Sequence, residues 1–334
     1  MKIAARVAAV AVASALVLTG CTNSEQDAGT KASSVASSGA SAASSAASSA
    51  MKAEANYPIT VEHKQGSTEI AAAPEKIVVL DYSALDYLDT LGYGDKVVGV
   101  PTAKAAPSVA DNYKDVKQVG SLKEPDMEAI AGLEPDLILL GSRNAKTYPD
   151  MSKIAPTVDL SFDYEKAVAD TESNAGTVGK IFGVEDEAKA KFADIKSKMD
   201  EVKKKVTDAN VNALIVMTNG GELSAYGETS RFALIHQLGF KPAAEVKMDG
   251  RHGEAISFEY VANADPDYIF VIDRDAATGS DGNTAKATLD NDLIKGTKAA
   301  KNDKIIYLDS SDWYLVGSGL TTFGNMVDAV GNAL

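Results

Sequence analysis

Apolar residues in this chain gather in short unbroken runs separated by amphipathic stretches. KIVVLD (76–81), VVGV (97–100) and DLILLG (136–141) read as buried strands in the first half. NALIVMT (212–218), DYIFVID (267–273) and KIIYLD (304–309) do so in the second. Runs this short and this continuous fit strands covered on both faces. Between them SALDYLDTLG (83–92), MEAIAGLE (127–134) and SRFALIHQLG (230–239) carry helical spacing, and a further helix follows the last strand. Strands alternating with helices predict an α/β fold with parallel sheets.

Two longer patterns organise the elements. MEAIAGLEPDLILLGSR, ending at Arg143, aligns without a gap on FEYVANADPDYIFVIDR, ending at Arg274, with six identities in seventeen positions. Glu128 falls on Glu259, Pro135-Asp136 on Pro266-Asp267, and Arg143 on Arg274. Both copies have the form helix–strand–loop, which predicts a duplicated α/β unit. Between the halves, residues 184–206 contain no Gly or Pro and many charges spaced i,i+4, predicting one continuous helix of about 35 Å. The expected architecture is two Rossmann-like lobes with parallel sheets, residues 57–183 and 209–334, joined by a spine helix over 184–208, with a ligand cleft between them.

The N-terminal end has a different composition. Lys2 and Arg6 precede the apolar run AAVAVASALVL, which ends in LTGC at Cys21. A basic start, a short apolar run and small residues before a cleavage point make an export signal over residues 1–20. The run is short for a membrane span. LTGC resembles the bacterial lipobox, in which the cysteine carries the lipid, and Cys21 is the only cysteine of the chain. Residues 32–50 are Ala and Ser apart from Val35 and Gly39. Such a composition buries too little apolar surface to order itself, so 21–56 is expected to be a disordered tether. The expected location is the extracytoplasmic face of the cell membrane, held by a lipid.

Charge narrows the partners. Lys2 and Arg6 leave with the signal, which takes the formal charge from −14 to −16. Nucleic acid is excluded as a partner, because phosphate binding needs a basic footprint. An anionic ligand would require a local positive site. Of 33 basic residues only five are arginines, and Arg6 belongs to the signal. Arg143 and Arg274 follow predicted strands by one or two residues, and Arg231 opens a helix after AYGETS. The carboxyl ends of parallel strands are where open α/β sheets bind ligands. Guanidinium grips anionic oxygens with two donors and stacks on aromatic rings, which lysine does not do. Surface ion pairing is the competing account of any one of them, but three at such turns point to a ligand site. Arg251 has no counterpart in the repeat and is placed at the rim.

His252 lies in a loop ahead of the second-lobe helix, and Tyr314 follows the last strand beside Trp313, the only tryptophan. Whether both line the cleft is open from spacing alone. An imidazole and a phenolate would together suit Fe³⁺. His236 sits among apolar neighbours as a helix residue, and His63 in an alternating strand. GxxxxGK[ST], GxGxxG after a strand, HExxH and GxSxG are all absent, so no enzyme motif is present.

With lipobox, tether, paired lobes and spine, the chain resembles the ABC-importer substrate-binding lipoproteins of the siderophore and vitamin B12 (class III) cluster. LSAYGETSRFALIH, GRHGEAISFEYVANADPDYIFVIDR and KNDKIIYLDSSDWYLVGSG resemble the catecholate (petrobactin- and enterobactin-type) siderophore-binding members. The resemblance implies that Arg143, Arg231 and Arg274 surround an anionic ferric catecholate. It further implies that His252 and Tyr314 complete the iron shell of a four-donor siderophore. Glu128 and Glu259 would be the acidic residue on each lobe that docks on an ABC permease. It implies a monomer with no permanently bound cofactor, the Fe(III)–siderophore being cargo. Haem, a hydroxamate siderophore or cobalamin are rival ligands. A direct Mn²⁺ or Zn²⁺ receptor and a surface adhesin are more distant alternatives.

Overall fold

The computed structural model describes residues 55–248 and 253–334. The signal, Cys21, most of the tether, Arg251 and His252 lie outside them. Among the described residues no helix is long and apolar enough to cross a membrane. In chain order the strands are β1 (Ile59–His63), β2 (Gly66–Ile70), β3 (Ile77–Val79), β4 (Val97–Thr102), β5 (Lys117–Ser121), β6 (Leu137–Leu140) and β7 (Thr157–Asp159) in the first half. The second half contributes β8 (Asn212–Asn219), β9 (Glu222–Tyr226), β10 (Lys241–Pro242), β11 (Glu254–Ile256), β12 (Tyr268–Asp273) and β13 (Ile305–Tyr307). β1 and β2 form an antiparallel hairpin. The first lobe has an all-parallel sheet in the order β5-β4-β3-β6-β7.

The second sheet runs β11-β9-β8-β12-β13, with β10 also on β8. Its β10, β8, β12 and β13 are parallel. β9 turns back antiparallel because Gly220 and Gly221 (φ 58° and 88°) make a two-residue turn that returns the chain beside itself. β11 then pairs antiparallel with β9.

The unbroken apolar runs are explained by burial on both faces. In β3, Ile77 and Val79 enter the large core shared by both lobes, while Val78, with Leu80 just after the strand, enters a smaller core on the other face. β12 divides likewise: Phe270 and Ile272 face the shared core, Ile269 and Val271 an outer one.

The spine helix spans Glu185–Ala209. Its buried positions Ala188, Phe192, Ile195, Met199, Val202 and Val206 alternate in steps of four and three, one stripe along the helix. Its opposite face is charged, with pairs such as Lys191–Glu187. The C-terminal helix, Leu320–Asn332, packs against this stripe and against the first-lobe helix Tyr82–Thr90.

The duplicated segments share local structure at matching positions. Glu134 and Asp265 both hold positive φ (49° and 41°) at the helix-to-strand turn. Asp136 accepts the amides of Glu75 and Lys76 just ahead of β3 (2.9 and 3.0 Å). Asp267 accepts that of Asn212 at the start of β8 (3.1 Å). Each aspartate thereby ties its own strand to the central strand beside it.

The helix expected over 230–239 shortens to Leu234–Gln237. Ser230 diverts the chain into turns: its hydroxyl accepts the Phe232 amide and its carbonyl the Ala233 amide. Arg231 sits in that turn and not on a helix face.

Candidate functional site

A cavity of about 820 Å³ lies at the carboxyl ends of the central strands of both sheets. Its lining includes Arg143, Arg231, Arg274 and Tyr314, all expected from the sequence. It also includes Lys123 and Lys146 from the first lobe and Asn219, Glu222 and Tyr226 from the second, none of them foreseen. Five lining residues are basic and one is acidic, so an acidic protein has placed a positive basin here.

The three arginines converge on one residue. Tyr314 lies in a π-helical turn, Asp312–Val316, ended by Gly317 with left-handed φ (72°). The last carbonyls of such a turn have no partner within it and carry its negative end. Arg143 donates to the Leu315 carbonyl (2.8 Å) and to the Tyr314 carbonyl. Arg231 donates to the same Tyr314 carbonyl (2.7 Å), with its guanidinium 4.2 Å from the centre of the Tyr314 ring. Arg274 reaches the hydroxyl, its Nε donating to Tyr314 Oη at 3.0 Å, and its Nη1 donates to Asn219. One tyrosine thus gathers an arginine from each copy of the repeat and a third from the β9 side.

Each arginine is aimed by its local chain. Asn144 is fully buried and ties the turn after β6: its amide group donates to the carbonyls of Leu80 (2.7 Å) and Leu122 (3.1 Å), and its oxygen accepts the Gly141 amide. Arg274 opens a helical turn capped by Asp273, whose carboxylate accepts the Ala276 amide. Arg231 lies within 6 Å of the rings of Tyr164 and Phe232 as well. Its Nε is buried without a hydrogen-bond partner among the described residues. Within those residues, Arg231 and Arg274 have no carboxylate within 4 Å, and Arg143 has Asp81 at 4.0 Å.

This field acts on the phenol. Burial pushes the Tyr314 hydroxyl up, but the Arg274 hydrogen bond and the charges of Arg231, Arg274 and Arg143 outweigh it, so it titrates below the ordinary tyrosine range. An easily ionised phenol among arginines suits a hard trivalent cation, as the oxygen donor is delivered already stabilised in its anionic form. Tyr226, deeper in the wall, is pushed the other way by burial. His252 lies outside the described residues, but its neighbour Gly253 lines the cavity. Gly253 packs so closely on Tyr226 that a Cβ would lie 2.7 Å from the ring and 2.4 Å from the Ala225 carbonyl.

Glu128 and Glu259 are both exposed and lie away from the cavity. Each occupies the first turn of a helix, Met127–Gly132 capped by Asp126 and Phe258–Ala264 capped by Ser257. His236 bonds the Phe240 carbonyl (2.9 Å), and His63 bonds the Thr68 hydroxyl; neither lines the cavity.

The sequence model of the periplasmic binding protein family matches residues 77–311. The petrobactin-binding protein YclQ of Bacillus subtilis is 42% identical over 281 residues, covering 83% of this chain and 88% of its own. Its crystal structure superimposes with a TM-score of 0.78 over 82% of this chain and 98% of that one. The ferric-anguibactin-binding protein FatB of Vibrio anguillarum is 33% identical, covering 82% of this chain and 86% of its own. The catecholate-siderophore binding protein VctP of Vibrio cholerae superimposes with a TM-score of 0.76 at 33% identity, over 81% of this chain and 98% of that one.

Proposed function

This chain belongs to the periplasmic binding protein family, and we propose that it captures a ferric catecholate siderophore for an ABC importer, which takes up the iron. The observation that carries the reading is the trio Arg143, Arg231 and Arg274 turned onto Tyr314 with no carboxylate closer than 4.0 Å among the described residues. Three guanidiniums with a single carboxylate within 4 Å among the described residues, Asp81 at 4.0 Å from Arg143, in a cavity of about 820 Å³, fit an anionic complex of siderophore size. Their planar faces also suit the catechol rings. Relatives that bind petrobactin, ferric anguibactin and catecholate siderophores support the same class.

In this reading the arginines hold the catecholate oxygens by charge-assisted hydrogen bonds, and the chemistry is binding without turnover. Tyr314 supplies a phenolate oxygen and His252 an imidazole nitrogen to iron when the siderophore fills only four positions. Glu128 and Glu259 form the two acidic contacts with the permease. Cys21 carries the lipid, and residues 21–56 hold a monomeric body of two lobes, 57–183 and 209–334, off the outer face of the cell membrane. No resident cofactor is required, and the acidic surface excludes nucleic acid.

Intrinsic fluorescence tests the ligand class. Trp313 is buried directly beside Tyr314, and its emission should be quenched saturably by micromolar ferric bis-catecholate. No quenching by any ferric catecholate at that concentration would sink the assignment.

A further inference from the structure

Arg143 differs from the other two cleft arginines in what lies behind it. Its Nη1 is 4.0 Å from Oδ2 of Asp81, a carboxyl 3% exposed at the carboxyl end of β3. The other oxygen, Oδ1, accepts the amide (3.0 Å) and hydroxyl (2.6 Å) of Ser83 and caps the helix Tyr82–Thr90. Gly141 makes the room, since a Cβ there would lie 2.3 Å from the Asp81 carboxyl carbon. The aim of Arg143 is fixed by the Leu315 and Tyr314 carbonyls. Asp81, beyond hydrogen-bond reach, therefore acts on it through charge.

We propose that Asp81 sets the charge of the ligand site: a buried acid that partly neutralises Arg143 in the empty cleft and takes up a proton when an anionic ligand claims that guanidinium. The proposal rests on the anionic-siderophore reading above. The charged and titratable groups facing Asp81 are Arg143 from the turn after β6, Asp159 at the end of β7, and Tyr82 beside it on the helix. Burial pushes the Asp81 carboxyl above its ordinary range and Asp159 adds to the rise, while Arg143 and the Ser83 hydrogen bonds oppose it. A bound anion brings a further like charge and shares Arg143, and both effects raise the proton affinity again. A group that binds its proton more tightly in the complex makes binding tighten as pH falls.

The test is Asp81→Asn, which keeps the helix cap because Asn caps about as well as Asp. Dissociation constants of both proteins are measured from pH 5 to 8 for the preformed ferric complex of a linear bis-catecholamide. The ligand's own titration divides out of the ratio. We expect the wild-type Kd to approach that of Asp81→Asn towards the acid end of this range. By pH 8 it should exceed it roughly tenfold, the order for one like charge about 10 Å away at an effective dielectric constant of about 20. A ratio that does not change with pH, or weaker binding by Asp81→Asn throughout, overturns the proposal. Wild-type protein that binds no ferric catecholate at any pH removes the ligand reading and this inference with it. Should Asp81→Asn fail to fold, wild-type titration calorimetry at pH 7 in two buffers of different ionisation enthalpy decides. Its ligand is a ferric tris-catecholate, which fills all six iron positions and so takes no proton from Tyr314 or His252. Net proton uptake on binding supports the proposal, and its absence refutes it.

Discussion

Replacing Asp86 by Ala probes how the C-terminal helix is held to the helix Tyr82–Thr90. Asp86 lies on the first-lobe helix and is 1% exposed. Its carboxylate accepts the amides of Thr321 and Thr322, each at 2.9 Å, and the Thr322 hydroxyl at 2.8 Å. Those are first-turn donors of the C-terminal helix, whose own N-cap is Gly319 and offers no side chain. Gly319 has φ 105°, and a Cβ there would lie 2.5 Å from the Asp86 carboxyl. The cap is thus supplied by the helix Tyr82–Thr90, which packs beside it.

Truncation to Ala would strand two amides and a hydroxyl. A buried donor left without a partner costs about 1–3 kcal/mol. A lost N-cap by itself costs about 1 kcal/mol. Water entering the vacated space recovers part of this, so we expect a loss of about 4 kcal/mol. That is a large share of the roughly 5–15 kcal/mol available to a folded protein. Urea unfolding followed by circular dichroism at pH 7 measures it, and an unchanged m-value would show that stability alone has moved. A loss below about 1 kcal/mol would refute the Asp86 cap, since even a surface cap is worth that much. The ligand site should feel the change as well. Ser318, a few residues beyond Tyr314, is held by the hydroxyls of Tyr87 (2.8 Å) and Thr171 (2.9 Å) from the first lobe. Loosening the helix start beside it frees the segment on which the arginines converge.

Arg231→Gln and Arg274→Gln should each weaken a ferric catecholate by roughly tenfold or more, as a charge-assisted hydrogen bond is worth about 1.5–3 kcal/mol. A neutral ferric hydroxamate should be barely affected, and equal losses for the two ligands in fluorescence titration would contradict the charge argument. Reversing Glu128 and Glu259 to Lys should leave siderophore affinity intact while abolishing iron uptake in cells. Uptake that persists would remove their docking role. His236 is held below the ordinary histidine range by burial, so the unfolded chain binds its proton more tightly. Its contribution to stability is complete above a pH of about 6.5 and is lost as pH falls through the lowered value. In His236→Gln the urea midpoint should therefore fall less between pH 6.5 and 5 than in the wild type, and identical slopes would count against the assignment.

The central strands were legible because burial on both faces leaves a continuous apolar run, as in Leu137–Leu140 and Tyr268–Asp273. β5 (KQVGS) and β7 (TVD) edge the first sheet and lack that signature. The helix Ala167–Phe182 was hidden for another reason: polar groups on its buried face have tertiary partners. Thr171 bonds Ser318, Asn174 bonds the Leu160 carbonyl, and Gly179 admits Ala188, so the 3.6-residue apolar rhythm is interrupted. In the site, the arginines were legible from their place after strands and within the repeat. Lys123, Lys146, Asn219 and Tyr226 were not, because loop and hairpin geometry carries them to the cavity. Neither was the meeting of Arg143 and Arg231 on the Tyr314 carbonyl, since a backbone acceptor leaves no trace in side-chain identity.

That meeting also shows how a duplicated fold yields an unsymmetrical site. The repeat places Arg143 and Arg274 alike, each just beyond the carboxyl end of its strand, on frames fixed by the matching turns at Glu134 and Asp265. Their targets differ: Arg143 binds backbone carbonyls of the Asp312–Val316 turn, and Arg274 the hydroxyl on the same turn. One segment outside the aligned repeat therefore converts two equivalent arginines into unequal ones. Arg143 is backed by the Asp81 carboxyl and held by carbonyls, whereas Arg274 is free of any carboxylate within 4 Å among the described residues and bears directly on the phenol. The charge felt at Tyr314 comes from Arg231, Arg274 and Arg143 together, two of them placed by the duplication and aimed by a segment outside it.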